Sequence, residues 1–428
     1  MTGDESRRDG TIGAETKAMA QTHSRHRYVV EAVMFLTYAL FGVSWMALAP
    51  LGPDLMTFFH VSKTEFSFLN TVVTIAKVIA PIVTGAAAVR FGLKRTILLG
   101  SLLICAVLAG PLAPSFQVFV VSRFLFGLGG AVVVTSMAPM AMQWFPRSEL
   151  PAVNAWNGVA ANSGIAVAMY VTTPLAGTAL GWRGTLVVFG ALNAVMLVAW
   201  ALLGRENKDS AALGGGTGSS PEGARVSYLD VWRMKETWLA TLAFTGAVAL
   251  YLSFSYWLPT FYQEQFHFDR AGAARYSGIV NLAGIPSAII CGYLTQRLGV
   301  RRPFLIVGGL IAGTVAFGMF LFASPAIIMA SAILLGVALF IPTAAITTLL
   351  MELPGVTPRH VSLIMGTMFS FCYVVSAFAP NLVAVLRERT GSFVPGFITL
   401  TVLSWVIFVA GFLLPETGPR ARAAAGAA

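Results

Sequence analysis

Long apolar stretches recur along the chain at the length of membrane-spanning helices. A bilayer-spanning helix needs about 20 largely apolar residues, and windows of about 19 residues pick out two sets of six such stretches. The sequence therefore predicts an all-α fold, a polytopic membrane protein of 12 transmembrane helices in two pseudo-symmetric six-helix bundles. The predicted spans are 27–58, 65–89, 96–112, 117–145, 151–175, 185–203, 237–262, 271–295, 303–322, 325–351, 360–386 and 394–414.

Composition supports a membrane protein and excludes a soluble one. Hydrophobic residues make up 57% of the 428 residues and charged residues only 11%, whereas soluble domains carry roughly 25% charged residues. A transmembrane β-barrel is excluded because its strands are segments of about 10 residues with alternating polarity. Cys105, Cys291 and Cys372 lie in apolar stretches without metal-ligand spacing, so we expect no disulfide, no metal and no cofactor.

A polar linker separates the two sets of spans. The segment 205–235 contains LGGGTGSSPEGAR, and its glycine and serine content is typical of a flexible linker. The first residues are polar and show no removable signal peptide. The expected organisation is a disordered tail (1–27), a six-helix half (28–204), the linker (205–235), a second half (236–414) and a C-terminal tail (415–428).

The distribution of lysine and arginine predicts the orientation. With an even number of spans, both tails and the linker share one side, and that side carries 20 of the basic residues against six on the other. Cytoplasmic loops carry the excess of positive charge. We therefore expect both termini in the cytoplasm and a location in the inner membrane. The net charge of +10 then follows from topology rather than from nucleic-acid binding.

The sequence contains one recognisable internal repeat. GAAAVRFGLKR at 85–95 and GYLTQRLGVRR at 292–302 align without gaps at an offset of 207 residues. Many secondary transporters are built from repeats with the binding site at their interface. The shared positions, which we expect to act in gating, are Gly85, Arg90, Gly92 and Arg95 in the first copy and Gly292, Arg297, Gly299 and Arg302 in the second.

These loops resemble those between helices two and three, and between eight and nine, of the major facilitator superfamily. RFLFGLGG at 123–130 is similar to the arginine motif of that family's fourth helix. The resemblance implies that helices one, four, seven and ten line a central cavity. The family pattern has an acidic residue at one position of each loop, where it helps to hold the gate closed. This chain has Val89 and Gln296 at those two positions, so that acidic residue is missing.

Two further stretches, WLPTFYQEQFHFDRAGAARYSG and FCYVVSAFAPNLVAVLRERTGSF, are similar to the cyanate and nitroimidazole permease branch. This similarity implies a small anion or a small polar solute. The fifth helix lacks the Gly-Pro signature of the superfamily's drug antiporters, which weakens an efflux-antiporter interpretation.

Lys77 is the leading candidate for the substrate site. It lies mid-helix, about 20 Å by helical rise from Arg90, where a charge costs about 2.5 to 3.5 kcal/mol and usually marks a solute or ion pathway. An anionic solute would supply its missing partner, and the alternative is a structural lysine that is bonded to helix carbonyls or held neutral by desolvation. Arg123 could bind an oxyanion bidentately, whereas the family resemblance implies a role in pinning helix backbones.

Aromatic and polar side chains could wall the same site. Tyr38, Phe41 and Trp45 share one face of the first helix, and Tyr251 and Ser255 share a face of the seventh. Simple helix packing is the alternative for the aromatic stripe. Three amides within spans are expected mainly to bond helix to helix: Asn70, Asn162 and Asn281.

These features predict a monomeric secondary transporter that moves a small organic or inorganic anion by alternating access. No phosphate-binding loop is present, so a gradient must supply the energy. If a proton is co-transported, Glu31 near the inner mouth of the first span is the acid that the protein supplies, and the anion or Lys77 must help to carry the proton. The alternative is proton-linked transport of a neutral or hydrophobic molecule. A membrane enzyme lacks a catalytic cluster, and a non-transporting sensor lacks an appended domain.

Overall fold

The computed structural model describes residues 4–145, 149–207, 228–354, 356 and 358–418. All regular structure within these residues is helical. The helices of the first half are α1 (Asp4–Met46), α2 (Leu48–Phe59), α3 (Lys63–Phe91), α4 (Leu93–Ile104), α5 (Phe116–Trp144), α6 (Leu150–Ala176) and α7 (Gly181–Leu203). The polytopic all-α prediction is confirmed.

The second half repeats this series after a short helix, α8 (Tyr228–Trp232). Most of the predicted linker, residues 208–227, lies outside the described residues. The helices that follow are α9 (Lys235–Phe266), α10 (Arg270–Leu298), α11 (Arg302–Val315), α12 (Pro325–Met351), α13 (Pro358–Thr390), α14 (Val394–Ser404) and α15 (Val406–Leu413).

Ten helices among the described residues are long and apolar enough to cross a membrane. The two other predicted spans correspond to α3 and to α4 with the 3₁₀ turn Cys105–Ala109, and they remain predictions. The 3₁₀ turn Ala316–Met319 ends α11 in the same way. The third and ninth predicted spans are therefore built alike, as pseudo-symmetric halves require.

Two differences from the predicted boundaries concern the first span. It is divided at Ala47, ahead of Pro50 and Pro53, because proline lacks the N–H that would continue the helical bonds and its ring displaces a preceding carbonyl. Helix α1 also begins at Asp4, within the tail expected to be disordered. Extending an existing helix requires no new nucleus, so the span can propagate into polar sequence.

The two halves meet through α3 against α13 and α6 against α10. Within the first half, α1 packs along α6, and glycine permits this close approach. A Cβ added at Gly164 would lie 1.8 Å from the carbonyl oxygen of Ala39, and one at Gly42 would lie 2.3 Å from that of Ala161. Small residues at such crossings let helix backbones pack directly in membranes.

We expect Gly164→Ala to lower the apparent Tm of the purified protein clearly, because the added methyl meets backbone that cannot move aside, and overpacking costs about 1 to 3 kcal/mol. The matched control is Gly158→Ala on the same helix, where a Cβ meets nothing within 4 Å. Alanine favours the helix by up to about 1 kcal/mol over glycine, so the control should be neutral or stabilising. Equal Tm values for the two variants would contradict the packing described.

Candidate functional site

The candidate site is a buried ammonium between the two halves. Lys77 of α3 is only 7% exposed and lies where α1, α3 and α13 meet. Among the residues that the structure describes, no carboxylate lies within 4 Å of its Nζ. A buried charge without a counter-charge is costly, so the surroundings of this nitrogen decide what the site can bind.

Aromatic rings surround the Lys77 ammonium. Its Nζ lies 3.6 Å from the centroid of the Trp45 ring, 5.3 Å from that of Tyr373 and 5.8 Å from that of Phe41. The negative face of an aromatic ring attracts a cation, and the attraction strengthens when both are desolvated. These cation–π contacts stabilise the charge, and no hydrogen bond of this nitrogen is among the contacts of the described residues.

The rings of Phe41, Trp45 and Tyr373 form an aromatic cage around the ammonium. Hydrogen bonding and stacking fix the position of its rings on α1. The Trp45 indole donates to Asn70 Oδ1 at 2.9 Å. Tyr38 stacks on Phe41 with ring centroids 5.5 Å apart, and Phe41 stacks on Phe126 at 4.5 Å. The aromatic stripe of the first span therefore forms one wall of the site and also packs into the core.

Glycine makes room for this stack. A Cβ at Gly130, in the fourth-helix arginine motif, would lie 2.1 Å from the Phe41 ring. The position therefore cannot carry a larger side chain unless the ring moves. This contact gives a physical reason for the second glycine of the GG pair in RFLFGLGG.

Arg123 is fully buried and bonded to helix backbone. Its two terminal nitrogens donate to the carbonyl oxygens of Ser44 and Trp45, at 3.0 and 3.1 Å, and its guanidinium lies 4.5 Å from the Phe126 ring centroid. These carbonyls precede the break at Ala47. Arg123 thus satisfies backbone at the bend and fixes the residue whose indole covers Lys77. Direct contact with substrate stays a prediction.

A second polar cluster links the two halves. The Tyr251 hydroxyl lies 2.8 Å from Asn162 Oδ1 and 2.5 Å from Asn281 Oδ1. Ser255, one turn further along α9, interacts with the Tyr251 hydroxyl. The amides predicted to bond helix to helix do so, on α6 and α10, and they converge on a predicted cavity residue. Tyr38 interacts electrostatically with both Tyr251 and Tyr373.

Sequence reasoning missed Tyr373. The signal that could have identified it is the four-residue spacing of positions 373, 377 and 381, which places them on one face of a helix. Thr71 of α3 donates to the carbonyl of Ala377 and also contacts the Asn381 side chain. This face of α13 therefore packs along α3, which brings Tyr373 to Lys77.

The repeated loops contain glycines that their backbone requires. Gly92 has φ +83° and Gly299 has φ +63°, conformations that other residues adopt only with strain. Arg90, Arg95 and Arg297 are exposed. Gly85 and Gly292 lie inside α3 and α10.

Two glutamates outside the repeat hold these loops in place. Glu206, after α7, accepts the N–H of Lys94 at 2.5 Å, and Glu416, after α15, accepts those of Arg301 and Arg302 at 2.8 and 2.9 Å. Carboxylates at helix N-termini bind free amides and complement the helix dipole. The two sites are pseudo-symmetric copies.

The second loop is further fixed by its basic pair. Arg301 makes two bonds of 3.1 Å to the carboxylate of Glu352. Arg302 donates to the carbonyls of Gly411 and Phe412, at 2.7 and 2.6 Å. A carboxylate directly after α12 thus binds the basic end of the second loop.

At the distal end of the bundle, formed by the links α2–α3, α9–α10 and α13–α14, ion pairs join the halves. Lys63 of α3 binds Glu264 of α9 at 3.1 Å, and Arg270 of α10 bonds to Asp54 of α2. Glu388 of α13 accepts the N–H at the start of α3 at 2.8 Å. A surface cavity of about 550 Å³ lies beside these pairs. The two halves are therefore closed together at this end.

Sequence comparison identifies the class of protein. The chain matches the Major Facilitator Superfamily over residues 34–380 and belongs to that family. It is a transporter rather than an enzyme.

Individual relatives are distant. The chain is 23% identical to the nitrite extrusion protein of Bacillus subtilis (strain 168), with 85% of this chain and 89% of the relative covered. It is 22% identical to the 2-nitroimidazole transporter of Escherichia coli (strain K12), covering 90% and 95%. Among solved structures, a bacterial homolog of the human lysosomal transporter Spinster shares its fold with a TM-score of 0.75, at 15% identity over 91% of this chain and 97% of that one.

We expect Arg270→Ala to open the distal end, because it removes a tie from α10 to Asp54 and to the carbonyl of Pro50. The reporter is Thr71→Cys, which replaces a fully buried residue between the halves, in a background without the three native cysteines. A partly exposed pair contributes about 1 kcal/mol, so maleimide labelling should rise about fivefold.

The control for this measurement is Arg183→Ala. Arg183 stacks on Phe58 within the first half and makes no tie across the halves among the described contacts. Its removal should leave the labelling rate unchanged. Equal labelling in Arg270→Ala and the parent would contradict a distal closure held by ion pairs.

Proposed function

We propose that this transporter moves a small anion and that Lys77 binds it. The observation that supports the proposal is the buried ammonium that faces aromatic rings and, within the described part of the chain, no carboxylate. A buried cation without a counter-ion attracts an anion strongly. At an effective dielectric of about 20, two unit charges in contact gain on the order of 4 kcal/mol before desolvation is subtracted.

The aromatic cage also suits a site that must empty again. Ring faces stabilise the ammonium by only about 2 kcal/mol when desolvated, so an anion that binds can take their place. When the anion leaves, the rings cover the charge again. A carboxylate in the same place would compete with the substrate far more strongly. The relative named as a nitrite extrusion protein supports an anionic cargo.

The second candidate is a neutral polar solute. It is supported by the relative named as a 2-nitroimidazole transporter and by the uncharged donors and acceptors of Tyr251, Asn162 and Asn281. A neutral solute would bind to these groups without needing the ammonium. The two candidates therefore differ in whether binding depends on the charge at position 77.

We further propose that the protein lies in the inner membrane with both termini in the cytoplasm. The asymmetry of basic residues supports this orientation. The distal end is then periplasmic, and the ion pairs there hold the two halves together on that side. A proton is the proposed coupling ion, since Glu31 of α1 has a buried carboxylate oxygen without a hydrogen-bond partner among the described residues.

We expect Lys77→Ala to lower anion affinity at least tenfold and Lys77→Arg to retain part of it, because arginine keeps the charge while changing stem length and donor geometry. Affinity is measured by thermal shift with a panel of carboxylates, nitrite, nitrate and cyanate, since the stabilisation by a bound ligand rises with the logarithm of its concentration over its dissociation constant. Lys94→Ala, a change at a partly exposed lysine, is the control. Undiminished affinity and uptake in folded Lys77→Ala would favour the neutral-solute candidate.

The orientation is tested by reporter fusions within the linker, residues 205–235. Alkaline phosphatase is active only outside the cytoplasm, so we expect its fusion there to be inactive and a fluorescent-protein fusion to be bright. A second fusion in the α9–α10 link should give the opposite pair of results. Reversed results at both positions would place the distal end in the cytoplasm.

A further inference from the structure

The side-chain amide of Asn70 has a fixed orientation and a spare donor. Its Oδ1 accepts the Trp45 indole N–H at 2.9 Å, and an indole nitrogen can only donate. This bond decides which way the amide faces, because the NH₂ group could not accept a hydrogen bond in the same place. The NH₂ group is buried and has no hydrogen-bond partner among the described residues.

Asn70 and Lys77 reach the same ring. They lie on one face of α3, two turns and about 10 Å apart by helical rise. The amide bonds to the edge of the Trp45 indole, and the ammonium lies 3.6 Å from the centroid of its ring. A single indole of α1 therefore joins the ammonium to the unpaired amide.

A buried donor without a partner is costly and calls for an explanation. The bond to Trp45 accounts for the oxygen of Asn70 but not for its NH₂ group. In the proposed function, an anion draws the Lys77 ammonium away from the indole. The amide adjoins the ring surface that the ammonium leaves, so a ligand that extends over this surface meets the unpaired donor.

The chemistry of the two side chains defines the ligand. Lys77 binds a negative charge at one end. Because the oxygen of Asn70 is already bonded, the amide offers only a donor to the other end, which must carry an acceptor. That acceptor is neutral, because a second buried charge would need its own cation. Arg123, which fixes the same stretch of α1, already donates from both terminal nitrogens to backbone carbonyls.

We propose that Asn70 is a specificity-determining residue that selects oxo acids, which are monocarboxylates with a carbonyl group several carbons from the carboxylate. The carboxylate binds Lys77, and the carbonyl oxygen accepts from the Asn70 NH₂. An unsubstituted acid leaves this donor unpaired, and a site built to bond one substrate group discriminates against analogues that lack it. The inference rests on the proposed function, since it takes Lys77 as the anion-binding group.

The test compares acids that differ by one carbonyl group: pentanoate with 4-oxopentanoate, hexanoate with 5-oxohexanoate, and heptanoate with 6-oxoheptanoate. Dissociation constants are measured by calorimetry on the purified full chain. The three pairs move the acceptor stepwise away from the carboxylate, and in at least one pair the carbonyl should raise affinity about tenfold or more. A ratio near one in all three wild-type pairs overturns the inference.

Two substitutions at position 70 test whether the amide is the source of the ratio. Asn70→Ala removes the donor, and Asn70→Asp replaces the donor with an oxygen while keeping an acceptor for the Trp45 indole. Both should reduce the ratio below about threefold. The ratio is the readout, because a shift of the indole alone would alter both acids of a pair alike. Asn157→Ala, at a buried amide of α6, is the control and should preserve the ratio, and a ratio that survives in both Asn70 variants contradicts the inference.

Lys77→Met separates this inference from the proposal on which it rests. It should weaken both acids of every pair, because the carboxylate loses its cation. Acids that depend on Lys77 but show no preference for the carbonyl overturn the role of Asn70 alone. Binding that is indifferent to Lys77→Met, or absent for every acid, overturns the proposed function as well.

Discussion

The structure depends on one unusual constraint, an ammonium buried between two bundles without an acidic partner among the described residues. Every contact around Lys77 serves to make that charge tolerable. Trp45 covers it at 3.6 Å, Asn70 holds the indole, and Arg123 fixes the backbone that carries the indole. Because the ring contributed by α13 comes from the other half, the stability of the charge depends on how the halves are arranged.

That dependence gives a physical basis for coupling binding to alternating access. The rings around Lys77 come from both halves, so an anion that takes their place at the ammonium changes the relative stability of the arrangements that the two halves can adopt. A ligand shifts a conformational equilibrium only by its differential affinity for the two states. The distal ion pairs and the loops capped by Glu206 and Glu416 lie away from this centre, where they can set the relative stability of those states without contacting substrate.

The sequence was sufficient for the class of fold, because apolar length is a local signal. A lysine in the middle of a predicted span is also a local signal, and it singled out Lys77 as a candidate, whose role in binding stays a prediction. The sequence could not show what covers the ammonium, since Tyr373 lies almost 300 positions from Lys77 and reaches it only through packing of α13 on α3. It left the role of Arg123 open for the same reason, as its partners are backbone carbonyls. The sequence did not single out Glu206 and Glu416, because a carboxylate that caps a helix cannot be distinguished by sequence from a solvent-exposed carboxylate that follows a span.

The most direct test of the account is a structure of the protein with a bound monocarboxylate. We expect the carboxylate within 2.7–3.2 Å of Lys77 Nζ, the usual range for such hydrogen bonds, and the ammonium displaced from the face of Trp45. A carboxylate bound instead to Arg123, or in the distal cavity, with Lys77 still against the Trp45 ring, would contradict the central claim.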